Sequence, residues 1–134
     1  MVNIKMKHGL PFCNIEIFHE DKSIVINNVL IDTGSGGTVL KMDIVEEIGI
    51  TIEPTDTIET IQGVGGCEFV YKKNIEKIKF GNLEVNNFKA EIGAMDYGFE
   101  IDGIIGIDFL SEIKAVIDLD KMIIRVGGEE DEKC

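Results

Sequence analysis

Asp32 stands where an apolar run ends and a glycine-rich, hydroxyl-bearing loop begins: V-L-I-D-T-G-S-G-G-T-V-L across residues 29–40. Two chemistries want a carboxylate in that setting. One uses it to take a proton from water, so that the water can attack a carbonyl. The other uses the amides of Gly34, Gly36 and Gly37 to cradle phosphate, with the acid alongside. A plain Asx turn, in which Asp32 caps its own loop, also fits these residues taken alone.

The elements that must position this loop read as mainly β. C-N-I-E-I-F alternates strictly, H-E-D-K is polar, and S-I-V-I-N-N-V-L-I resumes the apolar pattern, predicting a hairpin that leads into the Asp32 strand. T-I-E-T-I-Q-G-V-G-G-C-E-F-V-Y predicts a second hairpin with a glycine-rich tip. N-I-E-K-I-K-F-G-N-L-E-V-N-N-F-K-A-E-I-G predicts a third, turning at Gly81-Asn82. K-M-D-I-V-E-E-I-G-I breaks the alternation. Asp43 and Glu46 have capping-box spacing, Ile44, Val45 and Ile48 form a stripe, and Gly49 can end the turn, so one short helix is expected there. I-D-G-I-I-G-I-D-F-L-S-E-I predicts a helical turn at its end with Asp108 as cap, and K-A-V-I-D-L-D-K-M-I-I-R-V predicts two strands around D-L-D-K.

Composition bounds the function. The chain has 134 residues, 44% hydrophobic and 28% charged, which suits one soluble globular domain. A formal net charge of −12 argues against nucleic acid or an anionic membrane as partner. Cys13, Cys67 and Cys134 are odd in number and widely spaced, as expected of reduced thiols, and His8 and His19 lie apart without metal-ligand spacing. The N-terminal segment lacks the apolar core of a signal peptide, and no stretch approaches the ~20 apolar residues of a membrane span, so a cytoplasmic location is expected. No metal and no cofactor are implied. The acidic end G-G-E-E-D-E-K-C reads as a solvated tail.

Three segments in order carry a family pattern: D-T-G-S at 32–35, I-Q-G-V-G-G at 61–66 and I-D-G-I-I-G-I-D-F-L at 101–110. Together they resemble the retropepsin family of aspartic proteases, single-lobed relatives of pepsin, over nearly the whole chain. The resemblance implies an all-β, closed-barrel lobe with a hairpin flap and one or two short helices, spanning 1–126 and followed by the tail 127–134. It implies that Asp32 is the catalytic carboxylate, that Thr33 bonds across a dimer axis, and that Gly34 lets the backbone pass behind the carboxylate and donates an amide to it. Ser35 would tune that carboxylate through its hydroxyl. Ile104, Ile105 and Gly106 would pack beneath the loop, and Gly63, Val64, Gly65 and Gly66 would form the flap tip over a peptide substrate.

One D-T-G per chain makes a homodimer the minimal catalyst, because hydrolysis needs one carboxyl group as base and another as acid. Asp102 lacks a matching T-G turn and reads as structural. Viral members commonly pair an Arg after the apolar-apolar-Gly with an Asp four residues past the catalytic one. Here Ile107 and Gly36 occupy those places, and the terminal segments M-V-N-I-K-M and M-I-I-R-V have room to pair differently. Two other functions stay open at this point: a retropepsin-like dimer kept for protein binding without catalysis, and a phosphate-binding loop of the D-x-G kind found in sugar kinases and actin-like ATPases.

Overall fold

A computed structural model describes residues 1–63 and 66–127. The alternating segments become long antiparallel strands. β1 (Val2–Asn3) and β2 (Lys5–Lys7) precede a hairpin of β3 (Leu10–His19) and β4 (Lys22–Ile31), and β5 (Val39–Lys41) runs straight into α1 (Met42–Val45). A 3-10 turn over Glu46–Ile48 follows and closes at Gly49, whose φ of 89° is a left-handed value natural to glycine. β6 (Ile58–Gly63) and β7 (Gly66–Phe80) form the second hairpin, and β7 with β8 (Leu83–Gly93) forms the third. The described residues continue with β9 (Gly103–Ile105), α2 (Ile107–Glu112), β10 (Val116–Asp118) and β11 (Ile123–Arg125).

The main sheet runs β2-β3-β4-β9-β5-β8-β7-β6, and an added pairing of β3 with β7 curls it into a closed barrel. This is the all-β, closed lobe expected from the sequence. β9 lies parallel to β4 and antiparallel to β5, so it is wedged between the two strands that flank the Asp32 loop. That loop must therefore cross over the end of β9. A smaller sheet, β1-β11-β10, pairs Val2 with Ile124 and Asn3 with Ile123, so the two terminal segments meet within one chain.

One bulge sets the phase of the Asp32 strand. Cys13 faces Val29 but Ile15 faces Ile26, so β4 carries one extra residue around Asn28, which has a φ of 57°. Ile24 and Ile26 point to the main core before the bulge, and Val29 and Ile31 do so after it. Without the extra residue, even-numbered positions would continue inward and Asp32 would face the core. With it, Leu30 turns to a second apolar cluster with Phe12, Val39, Val70, Met95, Ile101 and Ile104, and Asp32 follows on that side.

Two helix starts differ from the sequence expectation. α1 begins at Met42 after Lys41, with no side-chain cap, so Asp43 lies in its first turn rather than at a capping box. The backbone of Lys41 is still held in the sheet, which leaves no separate turn for a cap. α2 starts after Gly106, likewise without a side-chain cap, and Asp108 inside its first turn is used elsewhere.

Candidate active site

The loop from Asp32 to Thr38 is fixed from below by the backbone. The Asp32 amide donates to the Ile105 carbonyl at 2.9 Å, and the Ile107 amide donates to the Ser35 carbonyl at 2.8 Å. Gly106 lies between these bonds, where only hydrogen fits. A Cβ there would stand 2.4 Å from the Gly37 oxygen and 2.7 Å from that of Ser35. Ile104 and Ile105 are buried beside it, under the loop.

The carboxylate of Asp32 is half-exposed and accepts the Gly34 amide at 3.0 Å. The Ser35 hydroxyl departs from expectation: it donates to the Gly37 carbonyl at 2.7 Å, closing the loop's own turn instead of reaching Asp32. Thr33 is exposed.

The far end of the loop is anchored by a pair that the sequence reading had not joined. Thr38, 1% exposed, donates its hydroxyl to Asp108 at 2.8 Å and accepts the Gly106 amide at 3.2 Å. Its own amide donates to the same carboxylate at 3.2 Å. Asp102 is engaged away from Asp32: it accepts from the Asn28 side chain at 3.3 Å and lies 4.0 Å from the Lys41 ammonium.

Above the loop opens a cleft of about 680 Å³ lined by Asp32, Gly34 to Gly37, Val39, Ile61, Gln62, Glu91, Tyr97 and Ile104. Ile61 and Gln62 belong to the β6 arm of the second hairpin. The β6–β7 ladder runs up to Gly63 facing Gly66, so both arms of the expected flap reach its tip. Gly66 takes a φ of 93°. Val64 and Gly65 lie outside the described residues, as do residues 128–134 of the expected tail. Gly127 is still tied to the body through its amide, which donates to Ile113 at 2.7 Å.

Glu91 and Tyr97 were missed at the sequence level. Glu91 occupies an outward position between Ala90 and Ile92 of β8, where alternation cannot tell a cleft face from solvent. Its carboxyl is pushed above its usual range, first by burial. The Tyr97 hydroxyl donates to Glu68, and burial followed by that carboxylate raises the phenol's pKa.

Comparison with known proteins bears on the family and the fold. Residues 19–109 match the aspartyl protease family, and the chain belongs to that family. It is 29% identical to the UBA domain-containing protein Mud1 of Schizosaccharomyces pombe over 121 residues, covering 89% of this chain and 33% of that protein. It is 29% identical to DNA damage-inducible protein 1 of Neurospora crassa over 102 residues, covering 75% of this chain and 22% of that protein. The chain thus spans a third or less of these relatives. A crystal structure of a retropepsin-like aspartic protease from Rickettsia conorii superposes with a TM-score of 0.66 at 18% identity, covering 93% of this chain and 97% of the other. At that identity the likeness is one of fold.

Proposed function

We propose that this chain is an aspartic endopeptidase that acts as a homodimer, with Asp32 of each copy forming the catalytic pair. The observation that carries the reading is the placement of Asp32 at the floor of a cleft, on a loop pinned to β9 and covered on one side by the β6–β7 hairpin. Two carboxyl groups a few ångströms apart cannot both ionise and so share one proton, as is well established for this class. The ionised partner takes a proton from water as its oxygen attacks the peptide carbonyl, while the protonated partner gives its proton to the carbonyl oxygen. The resulting diol collapses, the amide nitrogen gains a proton, and the C–N bond breaks.

Thr33 and Ile107 support the dimer. Thr33 is exposed beside the carboxylate, and Ile107, where an ion-pairing Arg often stands in viral members, leaves 45% of its surface open. An apolar contact between copies would replace the missing ion pair. Free Cys13 and Cys67 fit a reducing, cytoplasmic setting, and burial pushes the Cys13 thiol up to about 12, which leaves it inert.

A phosphate-binding role fits the site poorly. The Gly34, Ser35 and Thr38 amides already serve Asp32 and Asp108, and the described lining of the cleft has two acids and no Lys or Arg. Turnover of an unstructured protein separates catalysis from a purely binding role. The wild type should cleave it, a statine-type inhibitor should block cleavage, and Asp32→Asn should lose roughly a thousandfold or more in rate while keeping the fold. Near wild-type cleavage by Asp32→Asn would falsify the assignment.

A further inference from the structure

The cleft holds a second acid whose position follows from strand register. Leu30 of β4 pairs with Ile104 of β9, Ile104 with Val39 of β5, and Val39 with Glu91 of β8. These residues form one row across the barrel on the cleft side, apolar for three strands and acidic at the fourth. Strands lie ~4.8 Å apart, so Glu91 is at most about 14 Å across the sheet from the strand that delivers Asp32. An extended peptide advances ~3.3 Å per residue, which places Glu91 within a few residues of the bond to be cut.

The carboxyl of Glu91 leans over the active-site loop into space that Gly37 leaves clear. A Cβ on Gly37 would stand 2.4 Å from its Oε1. Its Oε2 is buried, and no donor among the described residues reaches it. Lys72 lies directly opposite on β7, but its ammonium pairs with Glu59 of β6 at 3.4 Å. The other charged groups facing Glu91 are Glu59 of β6, Glu68 of β7 and Asp108 of α2, all acidic, and among the described residues Lys72 is the one cation that offsets them. An unpartnered carboxyl oxygen costs stability, and because Glu91 lines the cleft, a ligand that turns this carboxyl toward itself can supply the missing donor.

We infer that Glu91 selects peptides carrying a Lys or Arg side chain near the scissile bond, with the aliphatic stem along Ile104 and Val39 and the cationic head on the Glu91 carboxylate. The inference rests on the proteolytic reading for its substrate and adds a specificity that the reading does not contain. Long basic side chains suit such a site because an apolar stem and a charged end are both satisfied. The preference should strengthen as pH rises through the Glu91 titration, since only the ionised carboxylate attracts the cation.

The experiment uses peptides identical except for Lys, Leu or Glu at each position flanking the scissile bond, with the wild type and Glu91→Gln. Cleavage is read as ratios of kcat/KM, and peptide binding is read by calorimetry on Asp32→Asn with and without Glu91→Gln. At one position the wild type should favour Lys over Leu about tenfold or more, and Glu91→Gln should abolish most of that ratio. Cleavage without a Glu91-dependent preference overturns the inference alone. Glu91-dependent binding of the Lys peptide without cleavage by the wild type supports the inference and overturns proteolysis. Neither cleavage nor binding overturns both.

Discussion

Thr38 and Asp108, seventy residues apart in sequence, are joined by two hydrogen bonds, hydroxyl to carboxylate at 2.8 Å and amide to carboxylate at 3.2 Å. This pair clamps the far end of the Asp32 loop to the first turn of α2. Thr38→Val keeps the shape but removes the hydroxyl, leaving the Gly106 amide without its acceptor and the carboxylate with one donor fewer. A loss of about 1–3 kcal/mol in stability is expected by urea unfolding. The loop should also loosen, so kcat should fall more than KM rises. A variant as stable and active as wild type would show that the clamp is dispensable.

Gly106 is the tightest contact under the loop. Gly106→Ala would bring its Cβ within 2.4 Å of a backbone oxygen that cannot swing aside as a side chain can. The loop or β9 must shift, at about 1–3 kcal/mol or more. Denaturation midpoints and peptide cleavage should both drop. Gly36→Ala is the control for stability, since nothing lies within 4 Å of its Cβ position.

Activity should require association. Specific activity is expected to fall on dilution in step with the dimer fraction seen by sedimentation. With a net charge of −12 per chain, moderate salt should raise that fraction relative to very low salt, and mildly acidic pH should act in the same direction. A monomer retaining full activity would sink the shared-carboxylate mechanism.

Glu91 should leave a signature in stability against pH. Burial raises its folded-state pKa above the ordinary 4.5, so the native state holds the proton more tightly than the unfolded chain does. Its contribution is therefore favourable in acid and is lost as pH rises from the unfolded value through the raised one. Asp56 and Asp118 act in the opposite sense. The Lys73 hydrogen bond lowers Asp56 and the Lys121 amide lowers Asp118, so what they add is present above about 3.8 and lost as pH falls through their lowered values. Glu91→Gln should flatten the decline above pH 4.5 while leaving the acid limb unchanged. Unfolding curves for both proteins across pH 3 to 8 would reveal an unchanged upper limb if the assignment is wrong.

Much of the site could be read along the chain because its parts are local. D-T-G-S puts carboxylate, amide and hydroxyl within four residues, and the Gly34 amide meets Asp32 as that spacing implies. Strict alternation and Gly81-Asn82 likewise determined the hairpins, since side-chain period and turn geometry are properties of neighbouring residues. Tertiary structure decided what depends on register. The bulge at Asn28 chose the face that Asp32 presents, and the wedge of β9 between β4 and β5 joined Thr38 to Asp108. The Ser35 hydroxyl found its acceptor in Gly37 because the loop had to fold over that wedge. Glu91 faced the cleft only because Val39 happened to be its partner across a parallel ladder. Sequence carries the period of a strand, but the neighbour opposite each residue exists only once the barrel has closed.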